Sequence, residues 1–85
     1  MNGREKPSTL RLARLSQGYR LVDVAARAGH PVGHLSEVER GRSSITAQGL
    51  AAVAGALKLT DEELGRVVRE VAQADRARKS ARLAA

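Results

Sequence analysis

Apolar residues recur along this chain at three- and four-residue intervals in five blocks, and no polar/apolar alternation persists long enough to suggest a strand. The first block is Leu10, Leu12, Ala13 and Leu15, behind Ser8 or Thr9 as a helix cap and closed by Gly18. The second runs over about residues 21–28 with Val24, Ala25 and Ala28 on one face, and breaks at Gly29, where a positive φ costs least. His30-Pro31 then opens a third helix over about 32–40, since Pro suits a first turn. Leu35 and Val38 form its stripe and Gly41 ends it. After a GRSSI loop at 41–45, Thr46 caps a fourth helix near 47–57, with Leu50, Val53, Ala54 and Leu57 at helical spacing. Gly49 and Gly55 weaken that helix intrinsically, so packing must hold it. Thr60-Asp61-Glu62-Glu63 is a capping box that starts a fifth helix, with three acids suited to the helix dipole. Its stripe of Leu64, Val67, Val68 and Val71 fades after Ala74. The pattern predicts an all-α chain with a flexible arm over 1–7, a folded region over 8–74 and a frayed, basic tail over 75–85.

The most informative part of this pattern is 21–41, two short helices around a Gly-containing turn, which is the helix-turn-helix plan. Composition sharpens its meaning. Eighty-five residues allow one small domain, and without Phe, Trp or Cys its core must be built from Leu, Val, Ile and Ala. Such a core is marginal alone and gains from a partner surface. The net charge is +6 and uneven: residues 1–60 carry nine Lys/Arg against four Asp/Glu, 61–75 carry two against five, and 76–85 carry four and none. Basic surface flanking an acidic helix fits a polyanion partner, and on a basic chain a helix-turn-helix points to double-stranded DNA.

Other chemistries have little support. The absence of Cys removes disulfides and thiolate metal sites and suits a reducing cytoplasm. No apolar run approaches membrane-spanning length and no signal-peptide pattern opens the chain, so the expected location is cytoplasmic. His34 and Glu37 share a helix face, with His30 nearby, but Pro31 places His30 outside regular helix and no further ligand is evident, so no metal and no cofactor is expected. His34 is expected to face DNA or solvent. No nucleophile motif, phosphate loop or paired carboxylates with a base argue for an enzyme.

The segments LRLARLSQG, LVDVAARAG, HLSEVERG and TAQGLAAVAGALKLTDEEL, at these spacings, resemble the lambda-repressor/Cro-like (xenobiotic-response-element type) helix-turn-helix family of bacterial and phage regulators, over about residues 9–64. The resemblance implies a five-helix DNA-binding domain, here with an extended fifth helix. It implies an ion pair between Arg14 in the first helix and Glu39 near the end of the third. It also implies DNA-facing positions at Arg20, Leu21, Val32, Gly33, Ser36 and Glu37, with Arg42, Ser43 and Ser44 as a phosphate clamp. Leu21, Val32, Gly33 and Glu37 depart from the polar or basic residues usual there, so base selection would rest on thymine-methyl contacts and a Glu–cytosine bond. The expected activity is sequence-specific transcription regulation, as a repressor acting by operator occupancy. The expected assembly is a homodimer through Val67, Val68 and Val71. The alternative is a protein-binding regulatory module docking through Leu21 and Val22 without reading DNA.

Overall fold

The computed structural model describes residues 7–84, so the expected N-terminal arm, apart from Pro7, lies outside the described residues. Five helices follow one another: α1 (Thr9–Ser16), α2 (Leu21–Ala28), α3 (Val32–Glu39), α4 (Ala47–Leu57) and α5 (Asp61–Ala84). Among the described residues there is no strand.

Local chemistry sets the helix boundaries. Ser8 Oγ accepts from the Arg11 amide and Thr46 Oγ1 from the Gly49 amide, each satisfying an amide that the helix itself leaves unpaired. Thr60 and Glu63 exchange backbone-to-side-chain bonds of 2.9 and 3.1 Å, completing the capping box at the start of α5. The first four helices stop in the same way. Tyr19, His30, Arg42 and Leu59 each donate their amide to the carbonyl five residues back, while the residue before each donates three back. This double closure needs a left-handed residue, supplied by Gly18, Gly29 and Gly41, and by Lys58 at φ 52° after α4.

α4 packs on α2, α2 on α3, and α1 on α5. Their shared core is Leu10, Val24, Ala25, Leu35, Val38, Leu50, Val53, Leu57 and Val67. Gly49 has a packing role beyond its poor helix propensity: a Cβ there would come within 3.1 Å of Ile45 and 3.3 Å of the His30 ring, so its absence lets α4 approach the turn. Two side chains tie distant helix ends together. Glu70 on α5 accepts from the Thr9 amide at 2.9 Å and from the Thr9 hydroxyl, placing a carboxylate at the positive end of α1. Gln17 donates to the Leu57 carbonyl at 2.7 Å, joining the end of α1 to that of α4.

Three expectations change. Leu12 and Leu15 are 53% and 52% exposed, because only Leu10 and Ala13, one turn apart, face inward from so short a helix. Val67 is 1% exposed and belongs to the core, so it is not free to form a dimer contact. Val71 is half-buried against that core and Val68 is 49% exposed. The third change concerns the C-terminal end. α5 does not fade at Ala74 but runs to Ala84, through good helix formers with no Gly or Pro to stop it. Ala74 lies against Gly41, and Arg78 pairs with Asp75 while donating to the Gly41 carbonyl, so α5 also secures the end of α3.

Arg14 and Glu39 join α1 to α3. Arg14 Nε and Nη2 donate to the two Glu39 oxygens at 2.9 and 3.1 Å, and Nη1 donates to the Tyr19 carbonyl at 3.1 Å. The side chains are only 13% and 7% exposed. Removing one partner strands the other charge, so Arg14→Met and Glu39→Gln should each cost about 3 kcal/mol in thermal or denaturant unfolding. The double variant should cost clearly less than the sum; strictly additive losses would show that the two groups do not act as a pair.

Candidate nucleic-acid interface

Leu21 at the start of α2 and Ser36 of α3 line one cleft, and Glu37 of α3 reaches Arg42 in the loop that follows. Arg20, the residue capping α2, is exposed but engaged: its guanidinium donates twice to Asp23 at 3.2 Å, and its amide donates to Asp23 Oδ2 at 2.9 Å. This is half a capping box, since a guanidinium has no acceptor to return. The Arg20 side-chain hydrogen bond, followed by the bond from its amide, holds the Asp23 carboxyl below the usual carboxylate range, and Asp23 in turn raises Arg20.

The expected site residues differ in exposure and in what engages them. Val32 (42% exposed) and Gly33 are open at the start of α3, and nothing lies within 4 Å of where a Gly33 Cβ would stand. Leu21 is half-buried against the core, leaving Val22 (49% exposed) as the exposed apolar residue beside it. Ser36 is half-buried one turn further along α3. Glu37 reaches Arg42 at 4.0 Å, the outer limit of an ion pair, so the acid on α3 and the cation of the loop partly neutralise each other. Ser44 is exposed, but its carbonyl is taken by His34 Nε2 at 2.9 Å. His34 therefore turns toward the loop, with its other nitrogen against His30, and does not project outward as expected. Among the described residues no group of three or more His, Cys, Asp or Glu is arranged to hold a metal.

Sequence reasoning passed over two arginines at this face. Arg11 of α1 and Arg40, the residue ending α3, are exposed beside Leu21 and Ser36, around a cleft of about 160 Å³ whose wall includes Arg14 and Glu39. Neither Arg11 nor Arg40 has a carboxylate partner among the described residues. The available signal was Arg40 directly following Glu39; the approach of α1 to α3 that brings Arg11 alongside depends on tertiary packing. Tyr19 and Arg27 form a supporting unit at the edge of α2. The guanidinium sits 4.5 Å over the ring and donates to the Tyr19 hydroxyl, so Arg27 is committed to structure.

A helix-turn-helix family model matches residues 10–64, from the first core leucine of α1 into the first turn of α5. Two curated relatives, both called transcriptional regulator ClgR, from Mycobacterium tuberculosis strains CDC 1551 / Oshkosh and ATCC 25618 / H37Rv, are 46% identical over 50 residues. That stretch is 59% of this chain and 45% of each relative, so the similarity spans under half of their length.

The open surroundings of Gly33 allow a direct test of whether backbone approaches a ligand there. Gly33→Ala should leave stability unchanged or raise it by about 0.5 kcal/mol, through helix propensity. The same change should weaken binding to duplex DNA in a fluorescence-anisotropy titration. Unchanged DNA affinity would mean that nothing comes close to this position.

Proposed function

The chain belongs to the lambda-repressor/Cro-like helix-turn-helix family, and from that membership and its surface we propose that it is a transcription regulator that binds double-stranded DNA, with α3 in the major groove. The observation that carries this reading is that the exposed Arg11 and Arg40 stand together beside Leu21 of α2 and Ser36 of α3, on a helix-turn-helix whose third helix opens with the exposed Val32 and Gly33. Guanidinium groups beside an open helix suit phosphates flanking base edges. Arg20 and Arg42, with Ser43 and Ser44, grip the backbone; Arg11 and Arg40 extend that grip toward α1. Sequence choice falls to Val32, Gly33, Ser36 and Glu37. No Arg, Lys, Asn or Gln stands among them, so discrimination is modest and leans on methyl contacts, DNA shape and half-site spacing. The regulatory mode we propose is repression by occupancy of an operator.

The test is the salt dependence of binding to random duplex. Affinity should fall steeply as salt rises, and Arg40→Ala and Arg42→Ala should each lower the log–log slope by about one. Glu37→Gln frees Arg42 from its acid and should tighten binding to every duplex by about fivefold, the equivalent of about 1 kcal/mol. A changed base preference at one position would instead assign Glu37 to cytosine. Negligible duplex affinity at all salt concentrations would favour a protein-docking module, for which the exposed Val22, with Leu21 half-buried beside it, supplies the apolar contact.

A homodimer is part of the proposal, with Val68 as its exposed apolar contact on α5 and Val71 at its edge. A two-fold pair would set two copies of α3 about 34 Å apart, one turn of DNA. Val68→Asp should convert a micromolar dimer to monomer in sedimentation without lowering the melting temperature of the monomer. A wild-type protein that stays monomeric and occupies single half-sites would refute the dimer.

A further inference from the structure

His30 lies in the turn between α2 and α3, and His34 in the first turn of α3. His30 Nε2 is 2.7 Å from His34 Nδ1, and the rings stack with centroids 4.9 Å apart at 28°. His34 Nε2 is 2.9 Å from the Ser44 carbonyl oxygen. The turn, α3 and the loop beyond it are therefore linked through two imidazoles, in a space that the missing side chain of Gly49 leaves open.

The protons in this chain are constrained by its partners. A carbonyl oxygen only accepts, so His34 Nε2 carries a hydrogen. In a neutral pair His34 Nδ1 is then bare, and His30 Nε2 must donate to it. One added proton is compatible with the link. It can sit on His30 Nδ1, or on His34 Nδ1 facing a bare His30 Nε2. A second added proton leaves two N–H groups opposed across 2.7 Å, each on a cation, and the contact cannot persist.

Charged groups on the surrounding elements are engaged elsewhere. α4 carries none. On α2, Asp23 is bonded to Arg20 and Arg27 to Tyr19. On α3, Glu37 faces Arg42 and Glu39 holds Arg14. Arg78 reaches the loop at the Gly41 carbonyl. None of these groups is hydrogen-bonded to either imidazole.

We propose that the His30–His34 pair is a proton-operated latch on the helix-turn-helix. It holds the turn to α3 with no added proton or with one, and parts the turn from α3 when a second arrives, while His34 Nε2 goes on donating to the Ser44 carbonyl. Imidazoles change charge within the physiological range of pH, so the latch can respond to acidification. Its consequence for DNA rests on the reading above; the latch itself does not. Opening it loosens the turn against the start of α3 while adding positive charge. Acid should therefore erode discrimination between sequences more than affinity for duplex in general.

The latch is tested by NMR on protein with ¹⁵N-labelled imidazoles and backbone amides, titrated from about pH 8 to about pH 5. At the alkaline end His34 should show a protonated Nε2 and a bare Nδ1. The first protonation should leave the Gly29 and Gly33 amide signals of the turn in place, and the second should shift them. In His30→Gln the side-chain amide can donate to His34 without ever becoming charged, so the acid-induced shift should disappear. Rings that both take up protons while the turn signals stay fixed, or an acid response that survives in His30→Gln, would overturn the latch. The DNA arm compares a duplex selected by the protein from a random pool with an unselected duplex. Their affinity ratio should fall about three- to tenfold as the latch opens, the fold-change of about one hydrogen bond, and should hold steady in His30→Gln. A constant wild-type ratio while the turn signals move would overturn a role in recognition. Turn signals that behave as expected in a protein with no duplex affinity would support the latch and sink the DNA reading.

Discussion

Arg14 and Glu39 meet where little water reaches them, and most of the domain's architecture is referred to that meeting. An eight-residue helix is unstable in isolation, because nucleation costs more than so few backbone bonds return. α1, α2 and α3 are all of this length, so each must be held by its neighbours. The Arg14 guanidinium holds all three together, with two bonds to α3 through Glu39 and one to the carbonyl of Tyr19 in the link to α2. The pair is also directional. A fork matched to a carboxylate fixes the angle of α3 as well as its distance, which apolar contacts through Leu35 and Val38 alone would define less sharply.

The face built on that frame is electrostatically restrained. Two of its cations already have acids beside them, Arg20 with Asp23 and Arg42 with Glu37, whereas Arg11 and Arg40 have none among the described residues. A phosphate approaching Arg20 or Arg42 must compete with a carboxylate, and one approaching Arg11 or Arg40 need not. The paired arginines are kept oriented at the cost of attraction, and the unpaired ones supply attraction without orientation. This division explains how a chain of high net charge can present a face that still carries acids.

Much of the fold could be read in advance because its signals are short-range. Gly18, Gly29 and Gly41 mark helix ends, since few other residues accept the left-handed conformation there. The Thr60–Glu63 box is legible within four residues. Signals that cross the fold were not legible. Leu12 and Leu15 match helical spacing as well as Leu10 and Ala13 do, and eight residues are too few for periodicity to choose between faces. Lys58 ends α4 in a conformation for which its side chain gives no warning. Glu70 reaches Thr9 across 61 residues, and no local pattern announces that bond. At the candidate interface, the family resemblance brought Arg14 and Glu39 to attention together. The positions of Arg11 and Arg40, and the turning of His34 toward Ser44, depend on how α1 and the loop lie against α3.

α5 holds a consequence for how the molecule moves before it touches anything. At 1.5 Å per residue its 24 residues run about 36 Å, nearly the 37 Å long dimension of the described molecule. It begins with Asp61, Glu62 and Glu63 and ends among Arg76, Arg78, Lys79 and Arg82. Charge of opposite sign is thus held at the two ends of a rigid rod. In the field of a polyanion such a rod feels a torque as well as a pull, and it rotates until its basic end points inward. Arg78 fastens that end to the Gly41 carbonyl, so the rotation carries the loop after α3 with it. Beside such a polyanion the long helix would work as a compass needle, turning the loop toward it during diffusion and reducing the orientational search that otherwise slows docking.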